Sequence, residues 1–95
     1  MRATDSPEPL AERIRAIVQE RFHPVRLEVR DDSAKHAGHA GGAGKGHFHV
    51  RIVSEAFSGK SLVERHRMVH DALAALLASD VHALALVTKT PSEIL

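Results

Sequence analysis

The sequence predicts an α+β fold: one domain over residues 1–95, ordered α-β-β-α-β-α, with helices on one face of a three-stranded mixed sheet. Three observations carry this. Apolar residues recur at helical spacing before Phe22 and again after Ser61. Between these helices two stretches alternate apolar and polar residues, as half-buried strands do. A third apolar stretch, Val81 to Val87, follows the second helix. A strand–helix–strand crossover makes it parallel to the strand before the helix, with a right-handed connection.

Pro7 and Pro9 mark the entry to the first helix, and Ser6 is its expected cap. Leu10, Ile14, Ile17 and Val18 form the apolar side, with Glu12, Arg13, Arg15 and Glu20 on the other. Pro24 ends the helix near Phe22, because the residue before a proline is pushed out of helical geometry. In the first strand Val25, Leu27 and Val29 face one way, and Arg26, Glu28 and Arg30 the other. The second strand starts near His47; Phe48, Val50 and Ile52 face the core, while His47, His49 and Arg51 face outward. Residues 1–6 are expected to be flexible, and residues 32–46 form a long loop rich in glycine and histidine. Loops of that length in compact domains often carry function. After a turn or short helix around Ala56 to Lys60, Ser61-Leu62-Val63-Glu64 spells a capping box. Leu62, His66, Val69, Leu73 and Leu76 then make the apolar stripe of a helix that stops near Ser79-Asp80. Val81 to Val87 is apolar except for His82, so this strand is expected to be buried on both faces or nearly so. Thr90-Pro91-Ser92-Glu93 repeats the helix-start pattern and opens a final helix.

Composition narrows the function. A chain of 95 residues has a limited core and little room for a deep cleft. A net charge of +1 gives no strong pull toward nucleic acid or membrane. There is no cysteine, which excludes disulfides and any self-contained cysteine-based zinc or iron–sulfur site. Any cluster thiolates would have to come from a partner. No apolar run approaches the roughly 20 residues of a membrane span, and the first residues lack the apolar core of a signal peptide. The expected location is cytoplasmic. All three aromatics are phenylalanines placed like core residues, which argues against base stacking on single strands.

Residues 47–67, from His47-Phe48-His49-Val50 to Arg65-His66-Arg67, are followed by Val81-His82-Ala83-Leu84-Ala85-Leu86 and Thr88-Lys89-Thr90-Pro91. This order resembles the BolA family. The most telling parts are Phe57-x-Gly59, the Arg65-His66-Arg67 triplet and the histidine that opens the last strand. Leu27-Glu28-Val29-x-Asp31-Asp32-Ser33-Ala34-x-His36 also fits, so the likeness extends over residues 10–93. The resemblance implies a type II KH-like fold and a protein that is not an enzyme. It implies a monothiol glutaredoxin as partner and a [2Fe–2S] cluster shared with that glutaredoxin and glutathione, none being bound by this chain alone. Alone, the chain is expected as a monomer or weak homodimer. The implied role is iron–sulfur trafficking, or iron and redox regulation.

Eight histidines are many for this length, and imidazole is a common ligand for iron, copper and zinc. His82 opens a strand, where a fixed backbone would fix the ring. Read alone, it is a core-edge residue; the resemblance makes it the cluster ligand. His36 read alone is a solvated loop residue, and the resemblance makes it the second ligand. His39 makes a His36-x-x-His39 pair and is the substitute for that place. His66 and His70 are four apart on one helix, a spacing that suits a metal, yet the metalloprotease pattern is absent. His66 is expected to be a partly buried structural residue donating to a backbone or carboxylate partner, with His70 on the flank. His47 and His49 share a strand face with Arg26, Arg30 and Arg51 and read as a weakly basic exposed surface. His23 reads as a helix-end residue.

Gly41-Gly42-Ala43-Gly44 spells the GxxG with which KH domains clamp nucleic acid. It falls in the wrong loop: the corresponding position is Phe57-Ser58-Gly59-Lys60-Ser61, which holds one glycine. Lys60, Arg65 and Arg67 remain candidates to touch phosphate, against the plainer reading of a solvated helix face. DNA is therefore the alternative partner, in a transcriptional regulator built on the KH-like fold. Ser54, Ser58, Ser61 and Asp71 assemble no nucleophile–base set, and no P-loop ending is present.

Overall fold

The computed structural model describes residues 9–32, 46–79 and 81–94. Pro9 leads into α1 (Leu10–Phe22), and its carbonyl accepts from the N–H groups of Glu12 and Arg13. The expected cap, Ser6, lies outside the described residues. Ile14, Val18 and Phe22 form the buried stripe, with Leu10 and Ile17 packed partly against it. The helix stops where Pro24 predicts. The stop runs through His23, which takes the left-handed conformation at φ 46 and returns its N–H to the Gln19 carbonyl. Glycine or asparagine usually fills that position.

β1 (Arg26–Asp31) pairs antiparallel with β2 (Gly46–Val53), and β2 pairs parallel with β3 (Val81–Lys89). The order is β1-β2-β3, so β2 is central. The alternation read from the sequence is realised in β2, where Phe48, Val50 and Ile52 are buried and Arg51 is exposed. Val25 departs from it. It precedes the strand and is 64% exposed, because only the backbone of its N–H joins the sheet, bonded to the Val53 carbonyl.

Two further expectations need correction. β3 is not buried on both faces. Leu84 and Leu86 pack toward the core, but Ala83 and Ala85 are exposed. As an edge strand of a sheet covered on one side, β3 leaves its outer positions in solvent, and alanine exposes little apolar surface there. The main helix is also interrupted. α2 (Leu62–Ala72) and α3 (Ala74–Ser79) meet at Leu73, whose ψ of 14 leaves helical geometry although its N–H still reaches Val69. The stripe keeps Val69, Leu73 and Leu76 in the core, but Leu62 is 61% exposed. Leu62 is the first residue of α2 and lies outside the packed part of the helix.

The capping box is formed in both directions: Ser61 Oγ accepts from the Glu64 N–H, and Glu64 accepts from the Ser61 N–H at 2.8 Å. The bond from the Ser61 N–H, and then the Ser61 hydroxyl beside it, hold the Glu64 carboxyl below its ordinary range. Before α2, a 3-10 turn (Glu55–Phe57) carries the fully buried Phe57 onto Phe22, ring centres 5.3 Å apart. Gly59 then turns the chain at φ 78, a conformation costly for any residue with a Cβ. The expected final helix is one 3-10 turn, Pro91–Ile94.

Candidate metal centre

Since β2 and β3 run parallel and β1 antiparallel, the sheet has two unlike ends. One gathers the starts of β2 and β3 with the finish of β1. Asp32 follows β1 there, and its N–H bonds to the His47 carbonyl at 2.7 Å. The stretch between Asp32 and Gly46, with His36 and His39, therefore leaves and rejoins the fold at this end; both histidines lie outside the described residues. β3 begins at Val81, opposite Gly46.

The ladder breaks at the residue singled out from the sequence. Gly46 pairs with Val81 and His47 with Ala83, so His82 is the extra residue of a bulge. The break also changes which face follows: Val81 is buried, yet Ala83, two residues on, is exposed. Bulges are frequent beside functional sites, where they re-aim the chain. Next to it lies an open depression of about 250 Å3 lined by Asp32, His47, Phe48, Ala83, Leu84 and Ala85. His47 and His49 are half-buried on its strand. Arg30, opposite His49, donates from Nε to the Asp32 carboxylate at 2.9 Å. That bond raises the guanidinium further above its ordinary range. Among the described residues, no three histidine or acidic side chains stand close enough to hold a metal ion. Any metal centre at this end needs donors from beyond them.

The other end is closed. Ser54 is buried; its Oγ donates to the Phe22 carbonyl and accepts from the Ala56 N–H, joining α1 to the 3-10 turn. Arg65 Nη1 and Nη2 make paired bonds of 2.8 and 3.0 Å to Glu93, while Nε donates to the Lys60 carbonyl. Glu93 also accepts from the Thr90 N–H, and the Arg65 bonds together with this one hold its carboxyl down to about 2. Val53, in step with the outward-facing His49 and Arg51, is fully buried here.

The candidates for phosphate contact thus divide. Arg65 is committed to Glu93 and its side chain is only 11% exposed, whereas Lys60 and Arg67 are exposed. His66 corrects the expectation of a hydrogen-bonded structural residue. It is half-buried, but its Nε2 is buried without a partner among the described residues. It occupies the apolar stripe of α2, beside buried Val69. His70 and His23 are exposed. Sequence reading missed the bridging role of Ser54 and the Arg65–Glu93 pair. The Thr90-Pro91-Ser92-Glu93 start signal did locate Glu93; nothing local announced its partner 28 residues earlier.

Residues 18–93 match the family described as BolA-like protein. The chain is 51% identical over 88 residues to SufE-like protein 1, chloroplastic/mitochondrial, of Arabidopsis thaliana, covering 86% of this chain and 24% of that protein. It is 44% identical over 84 residues to the DNA-binding transcriptional regulator BolA of Escherichia coli (strain K12), covering 88% and 78%. The solved structure of BolA1 from Arabidopsis thaliana superimposes with a TM-score of 0.81 at 46% identity, covering 93% of this chain and 98% of that one. The chain spans about a quarter of the SufE-like relative and 54% of the length of Protein BOLA1, chloroplastic, of the same plant. Among the described residues no helix is long and apolar enough to cross a membrane.

Proposed function

The chain belongs to the BolA-like protein family, and on that premise we propose that it is the cysteine-free partner of a monothiol glutaredoxin, holding a [2Fe–2S] cluster between the two proteins. His82 is one ligand in this reading, and His36, or His39 in its place, is the second. The glutaredoxin contributes one cysteine and glutathione another thiolate, since this chain has no thiol of its own. The observation that supports the reading is the bulge: the fold breaks its ladder at His82, beside an open depression and at the end where the stretch carrying His36 joins the sheet. A cluster with two imidazoles on one iron has a higher reduction potential than an all-thiolate one. The part of His82 is to present a neutral imidazole from a fixed strand end. The role is cluster trafficking or iron and redox regulation, in a cytoplasm that keeps the partner's thiols reduced.

The test is anaerobic reconstitution with a monothiol glutaredoxin, glutathione, iron and sulfide, followed by visible absorbance and circular dichroism. The expected result is a heterodimer spectrum unlike that of the glutaredoxin homodimer, collapsing in His82→Ala. A spectrum identical to glutaredoxin alone overturns the reading. The cluster is also expected to be lost from neutral pH to about pH 5, as imidazoles with a reference pKa of ~6.5 become protonated and cannot ligate.

The name of the Escherichia coli relative favours a second reading, DNA binding. With Arg65 engaged, phosphate contact falls to Lys60 and Arg67. Two such contacts give log K a slope of about −2 against log salt. Absent binding at physiological salt removes this reading.

A further inference from the structure

A third imidazole stands at the same end, on the central strand. His47 is the residue against which β3 breaks register, so the single step from Gly46 to His47 meets the double step from Val81 to Ala83. Neighbouring strands lie about 4.8 Å apart, which sets the backbones of His47 and His82 side by side. The backbone of His47 is fixed from both directions: β3 pairs with it on one side, and its carbonyl takes the Asp32 N–H on the other. Its half-buried side chain lines the depression, and the exposed Ala83 and Ala85 leave the sheet low beside it. His49 is less well placed, two residues further along and opposite the Arg30 cation, which disfavours a second positive centre.

We propose that His47 is an iron-ligating position of the shared-cluster site, able to complete the histidine pair with His82 without a loop histidine. This rests on the shared-cluster reading. Ligation uses the lone pair of a neutral ring nitrogen; one iron–nitrogen bond to His47 replaces one to the loop, and the charge of the cluster is unchanged. A cluster with two alternative second imidazoles can release one ligand during handover while another keeps it on the protein. A ligand on a strand also suits the role, because the rigid element holds its geometry better than a loop does.

The experiment uses the full chain in anaerobic reconstitution with a monothiol glutaredoxin, glutathione, iron and sulfide. It compares the wild type, His36→Ala/His39→Ala, and that pair combined with His47→Gln. The double variant is expected to keep a heterodimer cluster with a shifted dichroism spectrum. Pulsed electron paramagnetic resonance of its reduced form is expected to show two coordinated imidazole nitrogens. Adding His47→Gln is expected to remove one of these couplings and to shorten the cluster's lifetime under chelator challenge at least about tenfold. The proposal is overturned if the double variant already lacks the cluster, shows one nitrogen, or matches the triple variant. The nitrogen count is read with His47 intact, so it stands even if His47→Gln disturbs the fold. A wild type that gives only the glutaredoxin spectrum overturns the shared-cluster reading itself; a wild-type heterodimer with identical double and triple variants overturns His47 alone.

Discussion

Where β2 and β3 finish, Ser54, Phe57, Arg65 and Glu93 bind the sheet to α1, α2 and the last turn; where the same strands begin, the ladder skips a residue and the sheet opens on a depression. The contrast separates stability from chemistry. Much of what makes the sequence resemble its family, Phe57-x-Gly59 and Arg65, serves the closed end. The proposed ligands belong to the open one. A domain of this size has little stability to spare, so a site that must exchange ligands is best built away from the contacts that hold the fold.

The largest effect is expected from Phe57→Ala, which removes a fully buried ring packed at a tilt against Phe22. It should cost about 3–5 kcal/mol in urea unfolding, while the cluster spectrum of whatever remains folded stays that of the wild type. An altered spectrum would mean that the two ends are coupled. Ser54→Ala comes next, since it leaves the buried Phe22 carbonyl and the part-buried Ala56 N–H without this partner. A loss of about 1–3 kcal/mol is expected, and a neutral result would show that the closed end does not depend on this hydroxyl.

Glu93→Gln tests the clamp through pH. The Glu93 carboxyl titrates at about 2 in the fold, below its ordinary 4.5, chiefly because Arg65 donates to it and then because Thr90 does. Its stabilisation is therefore complete above pH 4.5 and is lost as pH falls through about 2. The gap between wild type and Glu93→Gln in urea midpoint should be widest near neutral pH and close over that acid window. A gap independent of pH would assign the loss to packing. The smallest effect is expected at the open end. Arg30→Ala breaks a solvated ion pair with Asp32 and should leave the midpoint almost unchanged; a loss as large as that of Ser54→Ala would show the open end to be locked as well.

The fold was legible because it is written in local signals. Alternation in residues 25–30 and 47–52, the Ser61–Glu64 box and the Pro24 stop each act within one turn or one strand, and apart from Val25, which precedes β1, each was found where the sequence placed it. The parallel pairing of β2 and β3 followed from the helical crossover that joins them, which leaves few alternatives for so short a chain. Errors arose where the pattern carries no direction. A run of apolar residues in β3 could not say which face would be covered, and alanine fits either side. Leu62 continued the helical stripe in sequence but lies outside the packed part of α2.

The site divides in the same way. His82 could be singled out because it interrupts an apolar strand, and the family resemblance gave it a role. That it is the bulged residue, and that His47 stands beside it, depends on the register between strands that begin 35 residues apart. Arg65, read as a candidate for phosphate, is held by a carboxylate 28 residues away. The sequence alone determined the order of helices and strands, though not the break at Leu73 or the 3-10 form of the last turn, because helix periods, strand alternation and caps are short-range. Only the tertiary structure decided which end of the sheet is bolted and which is open, because register, burial and ion pairing are relations between distant parts of the chain.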